Sequence, residues 1–514
     1  MLRFINQPKK EKKKVKKTAL ILFISIALQC SKEETVELPI TTSSEKALVF
    51  YQKALMEWES GGYVEKTAYF DSSIAIDSNF ALALLYNDNP DNILKKKRRK
   101  RAHSLRETVT RQERLILDLE KNKNSGNLDA ALVFSKKLVE ENPTSYLAHN
   151  YLGTVRASRR EFTESWAAFE KAINLNKDNY QANTWLWGLH FSESGPVELD
   201  TDKEKYIEIA LQHIDELIRI RPTSGHPYHS KANLYRKLGD FEKAKPLYEK
   251  SIQKRKGSSA EGTALIVSGH NYMFSGDFET ARNRYEKAVQ ASPKKEGKFG
   301  LNNYITLSYV FNEDYIGAIE NINKLENNLK ELGFLGGELL LRRAILNWQK
   351  FVFYAHNQVE KEANDALVLS IDLSRQRTAE LKNDPVAERD QKSNIAYNKA
   401  WMHALFGRYG EARKNLDDVK NINEKINSPT AMHDYNNLMG MVSLMEGKAE
   451  GALQFFEKGN PDNTYFLYFK ALALKALGDK DGAKEILTDI ANTNFSYWEL
   501  AIVRNRAKKL LENT

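Results

Sequence analysis

Few residues in this 514-residue chain have a type and spacing suited to chemistry. Cys30, in the stretch "IALQCSKEE", is the only cysteine, so the chain cannot form an internal disulfide. His226 and His229 lie three residues apart, but no carboxylate or third histidine with ligand spacing stands beside them. The HExxH, GxxxxGKS/T and GxSxG motifs of zinc proteases, P-loop nucleotide sites and serine hydrolases are absent from the sequence. We therefore expect no catalytic residue, no metal site and no cofactor.

The residues before Cys30 indicate export. Residues 1 to 17 carry eight basic side chains and one acidic one, and Thr18 to Leu28 carry no charge. This uncharged run would reach about 16 Å as a helix, whereas a bilayer core needs about 30 Å, so it is too short to cross a membrane. A basic segment followed by a short apolar run is typical of a secretory signal. We predict that residues 1–29 form a signal peptide.

The end of this run, Ala27-Leu28-Gln29-Cys30, resembles the lipobox of bacterial lipoproteins. In that family the cysteine is acylated on sulfur and becomes the N-terminus after cleavage, although the family usually has leucine at the place of Ala27 and a small residue at the place of Gln29. The resemblance implies an outer-membrane lipoprotein of a Gram-negative bacterium, with palmitate on Cys30 and residues 30–45 as a lipidated linker. The alternative is a buried free cysteine in a core helix.

The stretch Ser31 to Glu34 resembles the acidic tag of surface-exported lipoproteins, and its alternative is an ordinary solvated linker. The solenoid described below would face the cell surface in the first case. In the second case the sequence does not distinguish the periplasm from the cell surface.

The positive charge of the chain belongs mainly to the predicted signal. The whole chain is formally +9, but removing the eight basic and one acidic residues of positions 1–29 from the totals of 77 and 68 leaves 69 against 67. We therefore expect no nucleic-acid partner. The run "KKKRRKR", Lys95 to Arg101, lies in a basic insertion at 87–104 and is interpreted as a solvated face or loop, with contact to anionic lipid or lipopolysaccharide as the alternative.

A short phrase recurs along the chain. "GDFEKA" begins at Gly239 and returns as "GDFETA" at Gly276. Less similar copies begin at Gly126, Gly407, Gly447 and Gly478, and copies in which the glycine is replaced begin at Arg160 and Glu313. Neighbouring copies are 31 to 40 residues apart, which is the range of helical repeat proteins. Glycine can end a first helix and the next Asp or Asn can cap a second one, so each phrase predicts a corner between two helices.

These corners, with Phe169 and Ala172 or Tyr285 and Ala288 further along and a proline such as Pro293 at the end, resemble the tetratricopeptide repeat. The resemblance implies an all-α, right-handed superhelical solenoid of about eleven helix pairs. We predict one array at 46–333, a degenerate helical pair at 334–385, and a second array at 386–514. The last array would end in a polar-faced capping helix, "NFSYWELAIVRNRAKKLLEN".

The same resemblance implies a concave groove, lined by the first helices of successive pairs, that binds extended peptides. Projecting this groove onto the sequence gives seven candidate partner-binding residues: Asn150, Trp185, His229, Asn233, Arg236, His270 and Asn303. An asparagine amide offers both a donor and an acceptor to a peptide backbone. The alternative for each candidate is polar surface without a ligand. Trp401, like most aromatic residues of the helices, is predicted to lie mainly in the core.

The predicted function is a non-catalytic, membrane-anchored scaffold that binds a protein or peptide partner of unknown identity. The rival hypothesis is a glycan-binding lipoprotein accessory to an outer-membrane nutrient transporter. A third hypothesis is an enzyme whose site would have to lie in Phe334 to Pro385. The sequence makes no prediction of oligomeric state.

Overall fold

A computed structural model describes residues 38–191, 203–380, 384–426, 428 and 430–512. The predicted signal peptide, Cys30 and the linker up to residue 37 lie outside these ranges. The described residues form 25 α-helices and one 3₁₀-helix, Arg106–Thr108, and none of them is in a strand. The predicted all-α fold of repeated helix pairs is confirmed.

The chain divides into two compact units. Unit 1 comprises Met1–Glu59 and Lys66–Ile220, and unit 2 comprises Ser60–Glu65 and Arg221–Thr514. The helices of unit 1, in whole or in most of their length, are α1 Glu45–Ser60, α2 Tyr63–Ile76, α3 Ala81–Tyr86, α4 Asn92–Ser104, α5 Arg111–Asn124, α6 Leu128–Glu141, α7 Tyr146–Ser158, α8 Phe162–Leu175, α9 Tyr180–Phe191 and α10 Lys203–Ile220. Within unit 1, each helix from α5 to α9 packs against the next one in the chain.

Unit 2 continues the same arrangement of paired helices. Its helices are α11 His226–Lys237, α12 Phe241–Arg255, α13 Glu261–Phe274, α14 Phe278–Ala291, α15 Lys295–Phe311, α16 Tyr315–Asn328, α17 Gly336–His356, α18 Glu360–Glu380, α19 Pro385–Leu405, α20 Tyr409–Asn423, α21 His433–Met445, α22 Ala449–Phe456, α23 Thr464–Ala476, α24 Lys480–Asn492 and α25 Trp498–Glu512. The odd-numbered helices from α11 to α23 are the first helices of seven pairs, and successive first helices of these pairs also touch, for example α19 with α21 and α21 with α23.

The recurring phrase lies at the corners of the pairs. Gly239 and Gly276 have φ of +79° and +93°, in the left-handed region where a side chain is unfavourable. Arg160 and Glu313, which replace the glycine in two copies, adopt the same conformation with φ of +63° and +59°. Gln358, with φ of +61°, forms an equivalent corner between α17 and α18. The segment described from sequence as degenerate therefore contains the same kind of turn.

Where Asp or Asn follows the corner glycine, as after Gly126, Gly239, Gly276 and Gly478, its side chain caps the second helix, whereas Arg408 and Lys448 at two other corners form no such cap. The Asp277 carboxylate accepts a hydrogen bond from the Thr280 backbone N–H at 3.0 Å, and Asp479 accepts one from Gly482 at 2.9 Å. Each such cap typically stabilises a helix by about 1 kcal/mol. The acidic residue of the phrase is thus a structural element of the turn.

Small residues let the two helices of a pair approach closely. A Cβ atom added to Gly269 would lie 2.4 Å from the ring of Tyr285, and one added to Gly440 would lie 2.7 Å from the ring of Phe456. Tyr285 is fully buried and Phe456 is 5% exposed. In these two pairs the backbone of the first helix therefore packs directly on an aromatic ring of its partner helix.

The basic run Lys95 to Arg101 lies on a helix, α4. Arg98 Nη1 pairs with Asp71 at 2.6 Å, and Lys95 Nζ pairs with Asp88 at 3.1 Å. Lys96, Lys97 and Lys100 are exposed. The loop interpretation of this run is therefore replaced by a helix that is charged on its exposed side.

The last helix does more than cover the end of unit 2. α25 packs against α23 and α24, and also against α15, which precedes it by almost 200 residues. Asn505 Nδ2 donates to the Phe311 carbonyl at 2.8 Å, and Lys509 Nζ pairs with Glu313 at 2.8 Å. The sequence predicted a polar-faced cap, whereas α25 is a largely buried element inside unit 2, with apolar residues such as Ile502 and Val503 enclosed.

Candidate functional site

Two of the predicted groove residues lie in unit 1. Asn150 is only 2% exposed, and its amide exchanges two hydrogen bonds with Asn179, at 3.1 and 3.0 Å. A third hydrogen bond runs from Asn150 Nδ2 to Gln181 at 3.0 Å. Trp185 is half-buried and stacks on Phe169, with ring planes 11° apart. Asn150 thus joins two repeats, and Trp185 is the one of the two with accessible surface.

The side chains of Arg236 and His270 are buried inside unit 2, at 0% and 3% exposure. The chain's own C-terminal segment contacts both residues. Asn494 Nδ2 donates to the Arg236 carbonyl at 3.1 Å, and the ring of Phe495 lies 6.5 Å from that of His270. His270 Nδ1 also bonds the Tyr285 hydroxyl at 2.8 Å, and burial, followed by the charge of Arg236, holds its pKa well below the usual range. Neither side chain offers a surface to a ligand in this structure, and their partner-binding role stays a prediction.

Asn233 and Asn303 are half-buried and hold other side chains. The Tyr248 hydroxyl donates to Asn233 Oδ1 at 2.7 Å, which ties α11 to α12. Gln349 Nε2 donates to Asn303 Oδ1 at 2.9 Å, which ties α15 to α17. Both asparagines keep part of their surface accessible, so their predicted contact with a partner remains untested.

His229 lies near His226, and both residues are half-buried. Burial, and then the charge of Arg255, lowers the pKa of His226 to about 3 and that of His229 well below the usual range. His229 Nδ1 lies 3.3 Å from Arg255 Nη1. Across the described ranges, no three His, Cys, Asp or Glu side chains come close enough to hold a metal ion.

The structure brings together a different set of residues in unit 2. A pocket of about 170 Å³ opens between α17, α19, α21, α23 and α25, so its walls come from first helices and the last helix. Its lining consists of five aromatic residues, one carboxylic acid and one amide: Trp348, Tyr397, Trp401, Phe466, Trp498, Asp434 and Asn463. We call this the aromatic pocket.

Three indole rings form one side of the aromatic pocket. The centroids of Trp348 and Trp498 are 5.5 Å apart with perpendicular planes, and those of Trp401 and Trp498 are 5.7 Å apart. Trp348 Nε1–H donates to Asn398 Oδ1 at 2.8 Å, and Trp401 Nε1–H donates to the Tyr465 hydroxyl at 3.2 Å. These hydrogen bonds fix the orientation of two indoles and use their only polar hydrogens.

Asp434 lies at the mouth of the aromatic pocket with its side chain exposed. The protein atoms around it reduce its hydration enough to raise the pKa of its carboxyl above the usual value, against a smaller opposite effect of His433. Burial, and then the charge of Asp434, raises the pKa of the Tyr397 phenol well above the usual range, so this phenol stays neutral. Asp434 is therefore the one formally charged residue among those described as lining the pocket.

The side-chain oxygen of Asn463 is already engaged, so this residue offers the aromatic pocket only its amide NH2 group. Its Oδ1 caps α23 by accepting from the backbone N–H groups of Tyr465 and Phe466 at 3.1 and 3.3 Å. The site therefore offers a ligand mainly aromatic carbon, one carboxylate and a few neutral polar groups.

Sequence reasoning did not find this pocket. Trp401 was expected to be core, and it is only 2% exposed, yet it also lines the pocket. Trp348 lies in the segment described as degenerate, and Trp498 in the predicted cap. Three of the seven tryptophans line the pocket, but nothing in the sequence indicated that their helices are neighbours. That proximity arises only because α25 packs back against earlier helices.

None of the helices in the described part of the chain is long and apolar enough to span a bilayer. A search of curated proteins gives no match. Solved structures with some likeness include a tetratricopeptide repeat protein from Parabacteroides merdae, with 14% identity and a TM-score of 0.35 over 54% of this chain and 96% of that one. A thermophilic tetratricopeptide protein of Thermus thermophilus has 16% identity and a TM-score of 0.30, over 38% of this chain and 98% of that one.

YrrB, described as a tetratricopeptide protein with an unusual peptide-binding site, has 17% identity and a TM-score of 0.26, over 42% of this chain and 98% of that one. Scores this low carry no functional inference. The family comparison is more specific, because residues 226–253 and 263–295 match the tetratricopeptide repeat. These segments coincide closely with the pairs α11–α12 and α13–α14. The chain therefore contains tetratricopeptide repeats.

Proposed function

We propose that this protein is a non-catalytic scaffold that binds a segment of a protein or peptide partner on the first-helix side of unit 2. The aromatic pocket is the observation that carries the proposal. The helix pairs could have buried all their large aromatic residues between them, yet Trp348, Tyr397 and Trp498 keep accessible surface at one site. Tryptophan and tyrosine in preformed pockets supply much of the binding energy at protein interfaces, about 2 kcal/mol or more for each dominant residue.

The pocket is also rigid before a ligand arrives. Two of its three indoles are held by hydrogen bonds, and ring contacts, such as that of Trp401 with Phe351 at a centroid distance of 5.6 Å, hold the walls further. A ligand therefore does not have to order these side chains, and each ordering step avoided is worth about 0.5 to 1.5 kcal/mol. This favours binding of a short segment with modest contact area.

We further propose that the scaffold is held at the outer membrane by acyl chains on Cys30. The support is the order of features in the sequence: a basic segment, a short uncharged run, and the only cysteine. Each buried acyl CH₂ contributes about 0.8 kcal/mol, so two or more chains would anchor the protein stably. The solenoid would then face the periplasm or the cell surface.

A photo-crosslinking residue placed at Tyr397 in living cells tests the scaffold. The control places the same residue at Lys414, an exposed position on the second helix α20 of the same pair. We expect a polypeptide adduct from position 397 that Trp498→Ala weakens, and none from position 414. Equal adducts from both positions, or none from position 397, would refute binding at this site.

The anchor and the rival function need separate measurements. Labelled palmitate should be incorporated into the wild-type protein and not into Cys30→Ser. Recovery of the wild-type protein in the soluble fraction rather than with the membranes would contradict the anchor. Binding to a glycan array that is abolished by Trp498→Ala would favour the glycan-binding hypothesis instead.

A further inference from the structure

The walls of the aromatic pocket are suited to a positive charge. The faces of aromatic rings carry negative electrostatic potential, and tryptophan attracts cations most strongly. Three tryptophans, one tyrosine and one phenylalanine line this pocket. Because two of the indole N–H groups already donate to Asn398 and Tyr465, these rings present carbon rather than a donor to a ligand.

The polar groups at the pocket point to the same charge. Asp434 is the charged member of the described lining, and it is acidic. An anionic ligand would be repelled by this carboxylate. The lining also holds the Tyr397 hydroxyl, the Trp498 indole N–H and Asn463, whose oxygen is engaged in capping α23, but of these polar groups only Asp434 carries a charge. A cationic group satisfies both the rings and the carboxylate.

The volume limits the size of that group. An apolar cavity of about 150 Å³ is known to hold benzene, so the pocket's 170 Å³ admits a group of about six heavy atoms. The distal part of an arginine side chain has this size. Its planar guanidinium stacks on aromatic faces, forms paired hydrogen bonds with a carboxylate, and is less strongly hydrated than a lysine ammonium.

We propose that the aromatic pocket binds an arginine side chain of the partner polypeptide, with the guanidinium between the indoles and the carboxylate of Asp434. This inference rests on the proposed function and names the residue that the scaffold recognises.

The test uses the full-length chain in detergent with 5-fluorotryptophan at its seven tryptophan positions. Fluorine NMR then follows each indole while acetyl-Gly-Gly-Arg-Gly-Gly-amide is added. Matched peptides carry citrulline, which has the shape of arginine without the charge, or lysine, or glutamate. We expect the arginine peptide to shift the signals of Trp348, Trp401 and Trp498 and leave Trp58 and Trp166 unchanged. Citrulline should bind about tenfold more weakly, since the charge-dependent contacts are lost.

A matched pair of variants isolates the carboxylate. Asp434 is the second residue of α21, and Asp481 is the second residue of α24, exposed and outside the pocket lining. Asp434→Asn should lower the affinity for the arginine peptide about tenfold and leave the affinity for the citrulline peptide unchanged, because a neutral amide cannot form the charged pair. Asp481→Asn removes the same charge from the same helix position and should change neither peptide.

Three results would overturn the inference: equal affinity for the arginine and citrulline peptides, loss of affinity in both Asp variants alike, or no shift of the three indole signals up to the solubility limit of the peptide. If the crosslinker at Tyr397 still captures a polypeptide in any of these cases, the scaffold proposal stands and only the arginine assignment fails.

Discussion

Replacing Gly440 with alanine tests whether close contact between the helices of a pair positions the aromatic pocket. Gly440 lies on α21, the helix that carries Asp434, and a Cβ atom there would approach the Phe456 ring to 2.7 Å. Ordinary contacts begin at 3.4 Å, so the ring must retreat by about 0.7 Å. Phe456 is 5% exposed, which leaves it little space to do so. We expect α21 to shift and the protein to lose stability.

Two terms of opposite sign set the size of this effect. Alanine is a better helix former than glycine by about 1 kcal/mol. Overpacking a close-packed interior costs about 1 to 3 kcal/mol. The expected net result for Gly440→Ala is therefore a loss of about 0 to 2 kcal/mol.

Gly451 supplies the matched control, because it lies in α22 of the same pair and a Cβ there meets nothing within 4 Å. Gly451→Ala should have only the favourable effect of alanine on helix formation, and its free energy of unfolding should rise by about 0.5 to 1 kcal/mol. Urea unfolding followed by circular dichroism, with all variants under one set of conditions, measures the difference. Adding Phe456→Leu should relieve part of the loss in Gly440→Ala. If Gly440→Ala is as stable as Gly451→Ala, the close-contact argument is wrong.

Three further predictions concern charge and the C-terminal segment. Lowering the pH should weaken binding of the arginine peptide but not of the citrulline peptide in the NMR titration. Because the pKa of Asp434 is raised, this loss of affinity should begin at a higher pH than it would for an ordinary carboxyl. Hydrogen bonds from Arg413 lower the pKa of Glu446 to about 2, so the stability this carboxylate provides is complete above pH 4.5 and lost as the pH falls through about 2. Urea titrations over this range should show a loss of about 1 to 2 kcal/mol that is missing in Glu446→Gln. Asn494→Ala removes the oxygen that accepts from Arg504 Nη2 at 2.7 Å, and leaving this donor unpaired should cost about 1 to 3 kcal/mol of stability. Amide hydrogen exchange in α25 should therefore become faster, and unchanged exchange would contradict this role.

The corners of the helix pairs were predictable because their determinants are local. A glycine with positive φ and a capping Asp or Asn act within one turn, so "GDFEKA" at Gly239 specifies its own geometry. Arg160 and Glu313 were found only because the rest of the phrase was present. Gln358 was missed, since neither a glycine nor an acidic cap marks that corner.

The aromatic pocket was not predictable because its determinants are distant in the chain. Trp348 and Trp498 become neighbours only after four helix pairs have stacked and α25 has packed among first helices. The projected groove residues failed to anticipate this for the same reason. Arg236 and His270 lie on first helices as expected, but the C-terminal segment contacts them in a way that no repeat pattern encodes.

The return of α25 to α15 has a consequence for how unit 2 is made. A repeat array whose pairs contact only their neighbours can fold stepwise while it is being synthesised or exported. Here Asn505 and Lys509 contact Phe311 and Glu313, nearly 200 residues earlier, and Trp498 completes the aromatic pocket. The proposed binding site therefore requires α25, so a copy that lacks this helix would also lack the site. Recognition by this pocket would thus be restricted to chains in which α25 has already packed against α15.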